Sequence, residues 1–146
     1  MFLNELNKKE ALTFINLVKL LSNVDADFSK KEEELIGEYI EELSLQNDTI
    51  ETLTLETAIA ELNNSTIRVK NIIYFELVGL ALADSVYSDK EIDFLNIVAN
   101  SFNIDSKKQQ AFVNYFKEVK DLYDVTVIDC ESRIEALKQK ALDLLD

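Results

Sequence analysis

Apolar residues recur along most of this chain at the three- and four-residue spacing of an amphipathic helix. Between Ser29 and Leu43 they fall at Leu35, Ile36, Tyr39, Ile40 and Leu43, and Glu34, Glu38, Glu41 and Glu42 take the opposite positions. Such a segment presents one face to a core and the other to water. Helix-start signals recur too: a side-chain oxygen followed three residues later by Glu or Gln, a pairing that satisfies free amides in both directions. The pairs are Asn7 with Glu10, Ser29 with Glu32, Ser88 with Glu91, Ser106 with Gln109, and Ser132 with Glu135. Apolar spacing adds a helix around Leu55 to Leu62 and another from Thr66 to Ala83, opened by Ser65 or Thr66. The pattern predicts seven helices over about 7–23, 29–44, 54–63, 66–84, 88–102, 106–124 and 130–145. In the fourth, Ile72 to Ala83 is apolar around nearly its whole circumference, which places it at the centre with the others packed about it. The β-branched run Val125 to Ile128 is left open between loop and helix.

Shifted by 59 residues, the chain resembles itself. Phe14–Leu45 then aligns with Ile73–Ile104, and five identities fall at one junction: Leu21/Leu80, Asp25/Asp84, Ser29/Ser88, Lys31/Lys90 and Glu32/Glu91. Apolar pairs with apolar at Val18/Leu77, Ile36/Leu95, Tyr39/Val98 and Leu43/Phe102, among others. Each unit reads as a helix, a short acidic connection and a capped helix, with the shared pattern D-x-x-x-S-x-K-E. Two like hairpins are expected to pack about a pseudo-two-fold axis. The expected architecture is an all-α bundle forming a single domain over 1–146, with internal repeats at 14–45 and 73–104.

Composition narrows the chemistry. The 146 residues contain no Pro, two Gly and 47% apolar residues, which suits long helices and a sizeable core. With no His and one Cys, Cys130, the chain offers no catalytic triad, no Cys–His dyad, no intrachain disulfide and no His- or Cys-based zinc site. Gly37 and Gly79 alone make no phosphate-binding loop or dinucleotide fingerprint. The net charge of −13, with Arg68 and Arg133 the only arginines, opposes nucleic acid and anionic lipid as partners. It favours cations, basic protein surfaces or simple solubility. Met1 to Leu21 does not read as a signal peptide, and the most apolar window, Ile72 to Ala83, contains Glu76 and is too short for a bilayer span. A cytoplasmic protein is expected.

The run Leu80-Ala81-Leu82-Ala83-Asp84, then Ser88-Asp89-Lys90-Glu91 and an apolar-periodic helix ending near Ser101-Phe102-Asn103-Ile104, resembles the TerB-like tellurite-resistance family. The duplicated pattern around Asp25 and Glu32 extends the resemblance over about residues 8 to 125. It implies an all-helical protein of about seven helices with internal pseudo-symmetry, and acidic junctions that bind divalent cations. Carried over residue by residue, it assigns Asp25 and Glu32 in the first unit, and Asp84 and Glu91 in the second, as metal ligands. The chain departs from the family after each Asp, where the usual Gly is replaced by Ala26 and Ser85, so a tight left-handed turn is less easy there.

Two readings of these junctions stand side by side. In one, Ser29 and Ser88 cap helices, Glu32 and Glu91 complete the boxes, and each Asp settles its own turn. In the other, the carboxylates hold Ca²⁺ or Mg²⁺. Two carboxylates per unit are too few for a tight cage of six to eight oxygens, so carbonyls and waters would complete it and binding would be weak, on the order of 10⁻⁴ M or weaker. An EF-hand is excluded by Lys30 and Ile36 at its sixth and twelfth positions. Glu76, a lone carboxylate in the most apolar helix, is expected on a narrow exposed stripe or beside a Lys; if buried, it needs a raised pKa or a partner. Cys130 reads as a small core residue. The functional expectation is a non-enzymatic stress or tellurite-resistance protein that couples weak divalent-cation binding to contacts with a protein partner. The alternative is a metal-independent helical adaptor.

Overall fold

The structure is a computed structural model that describes residues 2–24, 30–48, 50–83, 88–122 and 127–146; the side chains of 30–32, 83, 120–122 and 127–133 lie outside that description. All regular structure among the described residues is helical. After a 3₁₀ turn at Leu3–Glu5 come α1 (Lys8–Asn23), α2 (Lys30–Glu42), α3 (Leu55–Glu61), α4 (Ile67–Ala83), α5 (Asp89–Ser101), α6 (Ser106–Leu122) and α7 (Val127–Leu145). Among these residues no helix is long and apolar enough to cross a membrane.

Side-chain oxygens set the helix starts. At α1 the expected capping box forms: the Glu10 amide donates to Asn7 Oδ1 at 2.8 Å and the Asn7 amide to Glu10 Oε1 at 2.9 Å. The second Glu10 oxygen accepts the Ser65 hydroxyl at 2.6 Å, so this cap also ties α1 to the turn before α4. Thr54 caps α3 through the Thr57 amide at 3.2 Å, Thr66 opens α4 through Val69 at 3.1 Å, and Ser88 caps α5 through Glu91 at 3.2 Å.

Two expected starts are corrected. At α6 the cap is Asp105, whose Oδ1 accepts the Lys108 amide at 2.7 Å; Ser106 is already the first helical residue, and Gln109 Nε2 turns back to the Ile104 carbonyl at 2.7 Å. A carboxylate one residue earlier than the serine offers the positive helix end a full charge as well as an acceptor. Ser132 does not stand at a helix start, because α7 is already helical from Val127 and Ser132 lies inside it. The undecided β-branched run is thus helical from Val127, and Val125 and Thr126 lie outside the described residues, as does Ser29.

The helix ends match the 59-residue shift. α1 and α4 begin at Lys8 and Ile67, and α2 and α5 end at Glu42 and Ser101. Both ends pass through a left-handed residue, Ser44 (φ 58°) and Asn103 (φ 59°), the only non-glycine positive-φ residues described. In each the next amide reaches back five residues, Leu45 to Ile40 and Ile104 to Ala99, both at 2.9 Å. This bond closes a helix and turns the following apolar residue inward, and Leu45 and Ile104 are indeed buried.

The central position of α4 holds. It packs against the 3₁₀ turn and α1, α5, α6 and α7, with Ile72, Ile73, Leu77 and Val78 fully enclosed in one contiguous core. Phe75 anchors its side toward α6, with ring centroids 4.8 Å from Phe116, 5.2 Å from Tyr115 and 6.2 Å from Phe112. Gly79 lets α6 come close: a Cβ there would lie 2.8 Å from Cε1 and Cζ of Phe116. α1 packs on α2 and α3, as α4 packs on α5 and α6, and α7 covers α6 and α4. Two buried amides stitch these layers. Asn16 Oδ1 accepts the Leu53 amide at 3.1 Å, and Asn71 Nδ2 donates to the Leu145 carbonyl at 3.2 Å.

Candidate functional site

Of the four expected metal ligands, Glu91 alone has a described side chain. Asp25 and Asp84 fall between helices and outside the described residues; Glu32 is the third residue of α2, its side chain likewise outside. Glu91 is the third residue of α5. Its backbone completes half of the expected box with Ser88, its side chain is half-buried, and its Oε2 is fully enclosed. A carboxylate oxygen is a suitable hard donor for Ca²⁺ or Mg²⁺. Among the described residues, no three acidic or cysteine side chains gather into a group able to hold a metal ion.

Glu76 departs from its expected exposed stripe or lysine partner. It is largely enclosed, and burial pushes its carboxyl above the usual carboxylate range. The positive chain amino terminus opposes that shift, Glu42 adds to it, and the Tyr39 hydroxyl lowers it by donating a hydrogen bond. Tyr39 pays the converse cost: burial first, then the charges of Glu76 and Glu42, hold its phenol protonated well beyond the ordinary range. Its ring packs edge-on to Phe14 at 5.2 Å. Tyr39 therefore serves as a core aromatic and as a proton donor from α2 to α4. Tyr39 sits at an ordinary apolar position of the α2 pattern, which signals only the first role.

The described face of α2 away from the core carries Glu34, Glu38, Glu41 and Glu42, all exposed as the periodicity predicts, and Glu33 is exposed as well. At the end of this helix lies a recess of about 300 Å³ between the α2 C-terminus and the residues leading into α1. Lys8 Nζ and Asp48 Oδ1 meet there at 2.6 Å. No motif marks these residues, and the 40 positions that separate them in the chain leave no local signal.

Comparison with family models, with curated proteins and with solved structures finds no match to this chain.

Proposed function

We propose that this chain is a non-enzymatic, TerB-like helical module in which two related hairpins each carry an acidic junction, that the junctions bind a divalent cation weakly, and that this binding tunes contacts with a protein partner. The observation that carries the reading is the shared 59-residue register: α1 and α4 start in it, α2 and α5 end in it, and both ends use the same left-handed cap. In that register Asp25 corresponds to Asp84 and Glu32 to Glu91, so the two acidic connections occupy equivalent places in the chain. A cation would neutralise carboxylates between packed helices and alter what those helices expose. Tellurite resistance, a stress role and a cytoplasmic location belong to the same proposal and rest on the resemblance alone.

The test is a titration of metal-stripped protein with Ca²⁺ and with Mg²⁺, followed by backbone amide NMR, beside an Asp25→Asn/Asp84→Asn double variant. Saturable shifts near residues 25–32 and 84–91 that vanish in the variant are expected. No shift up to about 10 mM, well above the range of weak calcium modules, would refute cation binding. The acidic connections would then be turn and cap chemistry, and the adaptor reading, with the acidic face of α2 as its contact, would take its place.

A further inference from the structure

The recess at the end of α2 has a chemistry of its own, independent of the acidic junctions. Its floor is apolar: Leu3 and Leu45 are buried beneath it, and Leu6 and Leu43 line its sides. Its polar rim is unequal in charge. Lys8 is matched by Asp48 at 2.6 Å, and Asp48 is mostly covered while Lys8 extends into solvent. Glu42, also at the rim, makes no ion pair among the described residues. Among the described side chains the rim thus carries two acids, Glu42 and Asp48, to one base, Lys8.

Two backbone features bias the recess the same way. It lies at the C-terminal end of α2, the negative pole of the helix dipole, although the amides of Leu43, Ser44 and Leu45 already engage the carbonyls of Tyr39, Glu41 and Ile40. The facing start of α1, which would otherwise attract an anion, is closed by the Asn7–Glu10 capping box. Ser44, at the rim, is held at φ 58°. The corresponding cap on α5 uses Asn103, a residue type that tolerates this region better than serine. The Ser44 hydroxyl adds an acceptor to the Glu42 and Asp48 carboxylates.

The geometry points to a binding site for a small organic ammonium with a short apolar body, its cationic head at Glu42 and Asp48 and its hydrocarbon on Leu3, Leu6 and Leu43. A volume of about 300 Å³ is at the lower end for small-molecule sites, enough for a chain of several carbons. An ammonium supplies three donors to the acceptors at the rim, whereas a carboxylate would face two like charges and a helix C-terminus.

The probe is n-hexylammonium, titrated into the full chain with amide NMR as the readout, against hexanol and hexanoate as neutral and anionic controls of equal length. Saturable shifts confined to residues 3–11 and 42–48 are expected, with half-saturation on the order of 1–10 mM, hexanol at least about tenfold weaker and hexanoate inert. Glu42→Gln should weaken hexylammonium several-fold, while Glu34→Gln, an equal change of charge elsewhere on the exposed face of α2, should leave it unchanged. Both positions are exposed, so a native spectrum is expected of each variant. Equal binding of hexanol would overturn the cation assignment. Equal loss in the two variants, or non-saturating shifts spread over the acidic surface, would reduce the effect to general charge attraction and overturn the site, as would no shift at all.

Discussion

The two glycines provide a paired test of how tightly α4 and α6 pack. Gly37 lies on the exposed face of α2, where an added Cβ would meet nothing within 4 Å. Gly79 lies inside α4, where the same Cβ would sit 2.8 Å from Cε1 and Cζ of Phe116. In a helix interior Gly→Ala gains about 1 kcal/mol from backbone entropy, so Gly37→Ala should stabilise by about that amount. At Gly79 the same gain opposes an overpacking cost of about 1–3 kcal/mol, because no real Cβ tolerates that separation and the Phe116 ring must move. That ring is not free to swing, with Phe75 at 4.8 Å and Tyr115 at 5.0 Å. Gly79→Ala should therefore destabilise by about 1 kcal/mol, opposite in sign to the surface substitution.

Urea unfolding at 25 °C, read by far-ultraviolet circular dichroism, separates the variants by about 2 kcal/mol on this reasoning. The decisive arm is a cycle with Phe116→Leu, which removes the two ring atoms at 2.8 Å. In that background Gly79→Ala should become neutral or stabilising, a coupling of about 1–2 kcal/mol. If Gly79→Ala stabilises the parent as much as Gly37→Ala does, Phe116 yields at no cost. The glycine would then not be what permits the approach of α6, and the reasoning fails.

Three further outcomes are expected. Burial raises the Glu76 carboxyl above its unfolded value, so between those two pH values the native state holds the extra proton and stability falls as pH rises, levelling off above the native value. Glu76→Gln should then stabilise at pH 7.5 and lose that advantage toward pH 4; urea midpoints that differ equally at both would contradict it. Asn16→Ala leaves the Leu53 amide without its side-chain acceptor and should cost about 1–3 kcal/mol in urea unfolding, well beyond an exposed polar-to-alanine change on the same helix. Asp105→Ala should cost about 1 kcal/mol and Ser106→Ala almost nothing, since the aspartate caps α6; the reverse order would restore the serine as the cap.

The helices were legible because their signals are local. Apolar spacing, Asn7 with Glu10 and Ser88 act within one or two turns, and the structure places six of the seven helices within about two residues of where those signals put them. The exception, α7, starts at Val127 instead of near 130, because Ser132 looks like a cap in sequence and nothing local says that the preceding β-branched residues are helical. Asp105 is hard to single out for a related reason: Ser106 and Gln109 fit the familiar box, and choosing between adjacent candidates needs the backbone. What depends on distant partners was not legible. Glu76 stands out as a lone acid in an apolar helix, but its expected place is an exposed stripe or beside a Lys, because Tyr39, which donates to it, lies 37 positions earlier in a helix where a tyrosine is unremarkable core. The recess behaves likewise, since Lys8 and Asp48 meet only when α1 and the end of α2 have docked.

The helix bounds that recur 59 residues apart enclose positions with different surroundings. Asn16 in α1 and Phe75 in α4 are 59 residues apart, and each sits where the third segment of its unit returns. In the first unit that segment includes the non-helical stretch before the short helix α3, and Leu53 presents a bare amide that only a side-chain acceptor can satisfy inside the protein. In the second unit the chain enters α6 at Ser106, three residues after the left-handed Asn103, and the long helix satisfies its own backbone. What it presents is aromatic, with Phe112, Tyr115 and Phe116 meeting Phe75. An amide at position 75 would be left without partners among those rings, and a phenyl at position 16 would strand the Leu53 amide. Positions 16 and 75 thus carry opposite chemistry because the segments packed against them do, whereas the left-handed caps at Ser44 and Asn103, set by local backbone bonds, are alike.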